Sequence, residues 1–521
     1  MKLRFEVFSK HVFSTGYDRF EKENEMKRSG IPAFCVLLAI LTILARPVVA
    51  AEYYVSKSGN DGAAGTRDAP WRHCPGMPDW SGGTQLQPGD TVYFDSADTW
   101  ESAGIVLQIT GGVTYDGSTW GSGLRARFHA RGDVRQGEGI IDFEEDHPTL
   151  PTIVRGFEAD GSKVNGDGHF ITGVALQDAV LEGATKRVEN CIIHDISHGG
   201  TPNHHYGITV SGWQGHTTRN VEILDCEVSV NNTGIIIYGG YSRPIHIDGV
   251  WIRGCVVHDV HPPSDIGDNV ANGITLKGHL VNAIVERNIV YNTHSDGISV
   301  NGSRYDNIPD GPMKVIIRQN IVRDCETGGI LITNDTGNRK GISVDVYGNL
   351  VFNNNFFGIA VPNWAVGTYS VNIYGNTLYH NGNKRDRCEL SVSESSSTEI
   401  VRLAVRNNIF YPIPGGSSVR GESRITELSH NLTTDPGFVN EEDLPTEFVD
   451  LSGKRCRFTS KVCRPNTDGL SITEDSPAYD AGIEILEESF NKERFDSSIN
   501  SVTRPYGGGW DIGAYELGEP D

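Results

Sequence analysis

Two strand patterns recur along the chain, and together they restrict it to one kind of architecture. The first starts at a glycine: GITVSG at Gly207, GIIIYG at Gly234, GITLKG at Gly273, GISVNG at Gly297, GILITN at Gly329 and GIAVPN at Gly358. Ile274 and Leu276 alternate with Thr275 and Lys277, and Ile298 and Val300 with Ser299 and Asn301, which is the period of a strand with one face inward. The steps between these glycines are 27, 39, 24, 32 and 29 residues, so the shortest approximates a bare turn and the longer ones carry loops. The largest insertion runs from Gly240 to Ala271, and another, NGSRYDNIPDGP, follows Val300.

The second pattern reads VENCIIHD, VEILDCEV, VWIRGCVVHD, IVERNIVYN, VIIRQNIVRD, VDVYGNLVFN, VNIYGNTLYHN and AVRNNIFY. Its turn position holds Cys191, Cys226, Cys255, Asn288, Asn320, Asn349, Asn376 and Asn408 in succession. Asparagine bonds local backbone, tolerates a left-handed bend and can bond a copy of itself stacked above, so this column reads as structural. A chain built this way buries each turn on its neighbours, and its 521 residues need no division into ordinary domains. The abundance of glycine, 61 residues, against only 4 Met fits many tight turns between strands.

Residues 26–51 read as a secretory signal, with Lys27 and Arg28 before the apolar Ala33 to Leu44 and a small-residue site at Val48-Val49-Ala50. Met26 is the expected start, and the apolar run is short for a bilayer span. Residues 1–50 carry eight Lys/Arg and five Asp/Glu, so the remainder moves from the whole chain's −22 to −25. That charge argues against nucleic acid and against simple electrostatic capture of a polyanion. An acidic polysaccharide would need local basic groups or bridging Ca²⁺. Cys456 and Cys463 flank a short basic loop and are expected to pair in an oxidising compartment. Cys191, Cys226 and Cys255 read as stacked buried groups, and no CxxC pair suggests zinc.

After the signal come YYVSKSGNDGAAGTRDAPW, Tyr53 to Trp71, and PGDTVYF, Pro88 to Phe94; the chain closes on NLTTDPGFVN, SPAYDAG and RPYGGGWDIGAYE. The opening resembles the cap of secreted bacterial β-helix proteins of the pectate lyase-like superfamily, and the closing segment resembles the end of the same proteins. The resemblance implies an all-β, single-stranded right-handed parallel β-helix, a solenoid with an irregular N-terminal cap at 52–104, the helix at 105–412 and a C-terminal capping extension at 413–521. It also implies a secreted protein, expected as a monomer, that acts on a polysaccharide.

The fourth residue after each strand glycine gives an outward column Ser211, Tyr238, Lys277, Asn301, Thr333 and Pro362, which stacks at about 4.8 Å per turn. A lyase must take the C5 proton of a uronic acid and neutralise the adjacent carboxylate. Lys277 is the candidate base, Tyr238 the proton donor and His294 a further acid/base group, with Asn301, Arg304, Trp213, Tyr241 and His279 as substrate contacts. A solvated lysine on a sheet is the plain alternative. Asp296, in SDGISV, resembles the aspartate-glycine entry of one Ca²⁺-dependent pectate lyase family, and with Asp265 and Asp268 could supply oxygen ligands. The run of aspartates found in that family is missing, and five strand positions, about 15 Å, separate Asp296 from Lys277. A turn-forming aspartate is the alternative there. The cluster His194, His198, His204, His205, His258, His261 and His294 shows no familiar ligand spacing.

These residues support a β-eliminating polysaccharide lyase, with Ca²⁺ the one expected cofactor and no organic group. A glycoside hydrolase using Asp296 with Asp268 or Asp335, an epimerase acting on the same proton, and a non-catalytic glycan-binding scaffold are the alternatives.

Overall fold

The computed structural model describes residues 50–520 apart from 134–138, 166–170, 178, 197–204, 241–244, 263–270, 303–310, 335–340, 362–367, 385–387, 395–398 and 490. The expected signal up to Val49, and the candidates His198, His204, Tyr241, Asp265, Asp268, Arg304 and Asp335, therefore lie outside the described residues. Among the described residues the chain is almost entirely β, and no helix is long and apolar enough to cross a membrane.

The chain coils as a right-handed parallel solenoid with three sheets. Sheet 1 runs from Glu52–Val55 to Glu427–Ser429, sheet 2 from Leu107–Ile109 to Ser417–Arg420, and sheet 3 from Thr99–Ser102 to Ile409–Tyr411. A regular turn visits sheet 1, sheet 3 and sheet 2 in that order, as in His246–Arg253, Val256–Val260 and Ile274–Gly278. Parallel pairing begins at Glu52 against Thr91 and persists to Arg406 against Ser429, so both ends of the coil reach into the segments expected as caps. Ile208, Ile235, Ile274, Ile298, Ile330 and Ile359 stack in register as one inner column of sheet 2 and are fully buried.

The strand glycines are required by space rather than by backbone conformation. A Cβ on Gly273 would lie 2.3 Å from Val290 Cγ1 and 2.6 Å from the Gly297 carbonyl, and Gly207, Gly234, Gly297 and Gly329 meet a sheet 3 valine in the same way. Gly273→Ala is therefore expected to destabilise the coil by about 1–3 kcal/mol through overpacking. Thermal unfolding followed by circular dichroism checks it, and an unchanged midpoint would refute the packing argument.

The bend from sheet 1 to sheet 3 has a left-handed residue in each turn, from Asn190 at φ 52° through Gly254 at φ 69° to Asn407 at φ 57°. These are the residues just before the Cys/Asn column, so the column itself does not take the left-handed conformation. It turns its side chains inward instead. Asn320 Nδ2 donates to Val285 O and to Asn349 Oδ1, both at 3.0 Å, while Asn349 Oδ1 also accepts from Asn320 N at 2.9 Å. The same bonds repeat from Asn288 to Asn431. Cys191, Cys226 and Cys255 continue the column as buried thiols.

A second ladder lines the bend from sheet 3 to sheet 2. Asp259, Asn292, Asp324, Asn353 and His380 are left-handed there, and each is followed by a buried residue: Val260, Thr293, Cys325, Asn354 and Asn381. Asn354 bonds Asn381, and Asn381 N donates to Glu389 Oε1 at 3.0 Å. Glu389 stands where the earlier turns have the strand glycine, and burial pushes its carboxyl up to about 8. The folded chain thus holds this proton more tightly than the unfolded one, whose ordinary value is 4.5. Its effect is nil below that value, costs stability increasingly as the pH rises toward 8, and is constant above. The slope is at most about 1.4 kcal/mol per pH unit. Glu389→Gln is expected to flatten the fall in melting temperature between pH 5 and 8, and parallel profiles for variant and wild type would exclude this role.

Cys456 and Cys463 form the expected disulfide. The acidic stretch near Glu484 is irregular, with Glu487 accepting from Arg402 and Arg406 at 3.1 and 3.0 Å. The closing RPYGGGWDIGAYE packs against the flank of the coil: buried Arg504 donates to the carbonyls of Asp511, Gly513 and Tyr515, and Ala514 N donates to Thr377 Oγ1 at 2.9 Å.

Candidate functional site

Sheet 2 is the face around which the chain varies. The steps between successive sheet 2 glycines range from 24 to 39 residues, so loops of differing length join its strands to the rest of the coil. Insertions on a rigid scaffold are where binding and catalytic residues gather.

The outer face of this sheet carries three columns. The strand-end column holds Tyr238, Lys277, Asn301 and Thr333 in direct register on four successive turns. Tyr238 and Lys277 are partly exposed, Asn301 and Thr333 buried. Ser211, one turn earlier, donates to Tyr238 O at 3.2 Å. The middle column, Thr209, Ile236, Thr275 and Ser299, gives way to Leu331 and Ala360. The strand-entry column holds Tyr206, Thr233, Asn272, Asp296, Gly328 and Phe357. Burial, with Tyr238 as a second contribution, pushes the Tyr206 hydroxyl upward. The face is thus polar over the central turns and becomes apolar at Leu331, Phe357, Ala360 and Cys388.

Asp296 sits at that boundary. Its N–H bonds Asn272 Oδ1 at 3.1 Å, and its Oδ1 accepts from Gly328 N at 3.2 Å. The Phe357 ring lies over Gly328, where a Cβ would meet it at 2.0 Å, and Asp296 is 5% exposed. Burial raises this carboxyl to about 7. A buried acid of this kind, already holding a backbone N–H, does not fit a Ca²⁺ ligand, which must be charged and open to the ion. The expected oxygen site of Asp265, Asp268 and Asp296 has no support from the one member that is described.

The structure stacks Tyr238, Lys277 and Asn301 as expected and, among the described residues, places His279, Trp213 and His294 outside that column. His279 follows the bend after Gly278, is 2% exposed and packs edge-on against His246, with the two Nδ1 atoms 3.4 Å apart, so it does not join the outward column. Trp213 lies past its strand and is exposed. His294 precedes the strand that Asn301 ends, and its Nδ1 is 3.0 Å from Glu326 Oε2. Glu326 was not singled out from the sequence. It occupies the second position after the left-handed residue Asp324, as His294 does after Asn292 and His261 after Asp259, so alignment on that bend would have found it.

Among the described residues, two groups of three bring ligand atoms close enough to share a cation: His261, His294 and Glu326, and Glu158, Asp160 and His194. In the second, Arg127 already neutralises both carboxylates, with Nε 3.1 Å from Glu158 and a guanidinium bond to Asp160. His194 bonds Glu158 at 3.1 Å and Asp195 at 2.7 Å, and those carboxylates hold its pKa above the usual value despite burial.

A coil of three parallel sheets, with laddered bends and one polar face flanked by insertions, defines a right-handed parallel β-helix protein. Residues 179–378 match the family model described as "Right handed beta helix region". No curated protein matches the chain. Similar solved structures include the pectate lyase Pel9A, with 17% identity over 90% of this chain and 97% of that one at a TM-score of 0.46. A rhamnogalacturonan lyase shows 14% identity over 82% and 97% at 0.36, and XylC, in complex with xylose, 9% over 90% and 99% at 0.41.

Proposed function

We propose that this protein is a secreted polysaccharide lyase that binds a uronic-acid-containing polymer across the outer face of sheet 2 and cleaves it by β-elimination. The observation that carries the reading is the register of Tyr238, Lys277 and Asn301 on consecutive turns of the face flanked by the insertions. A chain lying along that column would meet a base, a hydroxyl donor and an amide at successive turns, about 4.8 Å apart.

In this mechanism Lys277 Nζ takes the proton at C5, the C5–H electrons form the C4–C5 double bond, and the C4–O bond breaks. Tyr238 gives its hydroxyl proton to the departing oxygen. Asn301 donates to the substrate beside the base, and the charge that develops on the uronate carboxylate needs a cation or donors close by. Ca²⁺ shared between substrate and protein is one means of supplying it.

The deciding experiment is absorbance of unsaturated uronic products from pectate, alginate and glycosaminoglycans, with Ca²⁺ or with EDTA. A rise is expected with at least one polymer. New reducing ends without absorbance would transfer the reading to hydrolysis, with Asp296 as candidate acid. No product from any polymer would leave a glycan-binding scaffold.

A further inference from the structure

We propose that His261, His294 and Glu326 form a binding site for a divalent first-row transition ion of the Zn²⁺ type, independent of the elimination chemistry. All three occupy the same position of the bend from sheet 3 to sheet 2 on successive turns. Val260 pairs with Thr293, His294 N donates to Val260 O at 2.9 Å, and Glu326 N donates to Thr293 O at 2.8 Å. His261 and Glu326 are thus two turns apart, about 10 Å along the coil. Their side chains nevertheless converge: His261 Nδ1 is 4.0 Å from Glu326 Oε1, and His294 Nδ1 is 3.0 Å from Glu326 Oε2. All the ligand atoms lie within 4.8 Å of one another.

A tetrahedral ion with bonds of about 2.0–2.2 Å holds its donors roughly 3.4 Å apart, so side-chain rotation alone would close this set. The three side chains are 37–44% exposed, which leaves them room to rotate and leaves a coordination position open to solvent. Two imidazoles and one carboxylate suit Zn²⁺ and its neighbours; they do not suit Ca²⁺, which takes oxygen. Glu326 makes no ion pair with lysine or arginine among the described residues, unlike Glu158 and Asp160, where Arg127 fills the cation's place. The plain alternative is a carboxylate that merely bonds His294.

The test is calorimetric titration of the full chain, stripped with EDTA and dialysed, with ZnCl₂ in the presence and absence of CaCl₂. Wild type is expected to bind one equivalent of Zn²⁺, with Ca²⁺ leaving the isotherm unchanged. Affinity should fall at least about tenfold in Glu326→Gln and more than about 100-fold in the double variant His261→Ala/His294→Ala. X-ray absorption of the zinc-loaded wild type, which needs no variant to fold, is expected to show nitrogen and oxygen neighbours without sulfur. The proposal is overturned by absence of stoichiometric binding, by equal affinity in the double variant, by displacement with Ca²⁺, or by sulfur in the zinc shell. None of these results bears on whether uronic polymers are cleaved, and the absorbance assay does not report zinc.

Discussion

Lys277→Ala is expected to lower kcat for formation of unsaturated product by about 10²–10⁴-fold, the usual contribution of a positioned general base. The lysine is partly exposed on the outer face, between Tyr238 and Asn301, while its inward neighbour Leu276 carries the packing. Removing the side chain beyond Cβ therefore leaves the strand and its ladder intact, and the melting midpoint should hardly move. The division between kcat and KM separates the possible roles. Loss of the base lowers kcat, whereas loss of a cation that only holds the polymer raises KM. Tyr238→Phe should follow Lys277→Ala in direction, because it removes the donor for the departing oxygen and keeps the ring. Activity retained within a few-fold in Lys277→Ala would place the base elsewhere and remove the main support for elimination at this column.

The second large effect concerns the inner ladder. Asn349→Ala is expected to destabilise the coil by about 3–6 kcal/mol, since it strands two buried donors and leaves carbonyls without their partner. Asn320 N and Nδ2 both lose their acceptor, and the Ile317 carbonyl loses a donor at 3.0 Å. Cys255→Ala, in the same column, should cost far less, because its thiol makes only weak contacts with carbonyls at 3.5 and 3.6 Å. Chemical denaturation of both variants gives the comparison. Equal losses would mean that the column acts by filling space, and the hydrogen-bond account would fail.

Much of the coil was legible in the sequence because each turn repeats a decision with the same physical cause. An isoleucine must face inward, and a glycine must leave room for a valine of sheet 3, so both recur and align. The same repetition aligns Tyr238, Lys277 and Asn301 in the sequence as the strands do in space. What it could not convey is where a side chain points once the strand ends. His279 lies two residues after Lys277 and reads as its companion, yet the bend at Gly278, with φ 96°, carries it round to His246. Glu326 escaped notice for a related reason: its neighbours in space come from turns 32 and 65 residues earlier, and the bend that aligns them has no invariant letter.

The asparagine ladder also gives the molecule a polarity. Each rung's backbone N–H is satisfied by the side chain of the turn that follows it: Cys255 by Asn288, Asn288 by Asn320, Asn320 by Asn349. A turn is therefore complete only when its successor is in place. Removing the following turn takes the side-chain acceptor from a rung's buried backbone N–H, whereas removing the preceding turn takes a carbonyl from its Nδ2 and leaves that backbone N–H bonded. Asn431 for one ladder and Glu389 for the other act as terminators, and a ribosome delivering this chain leaves its newest turn unfinished until the next one emerges.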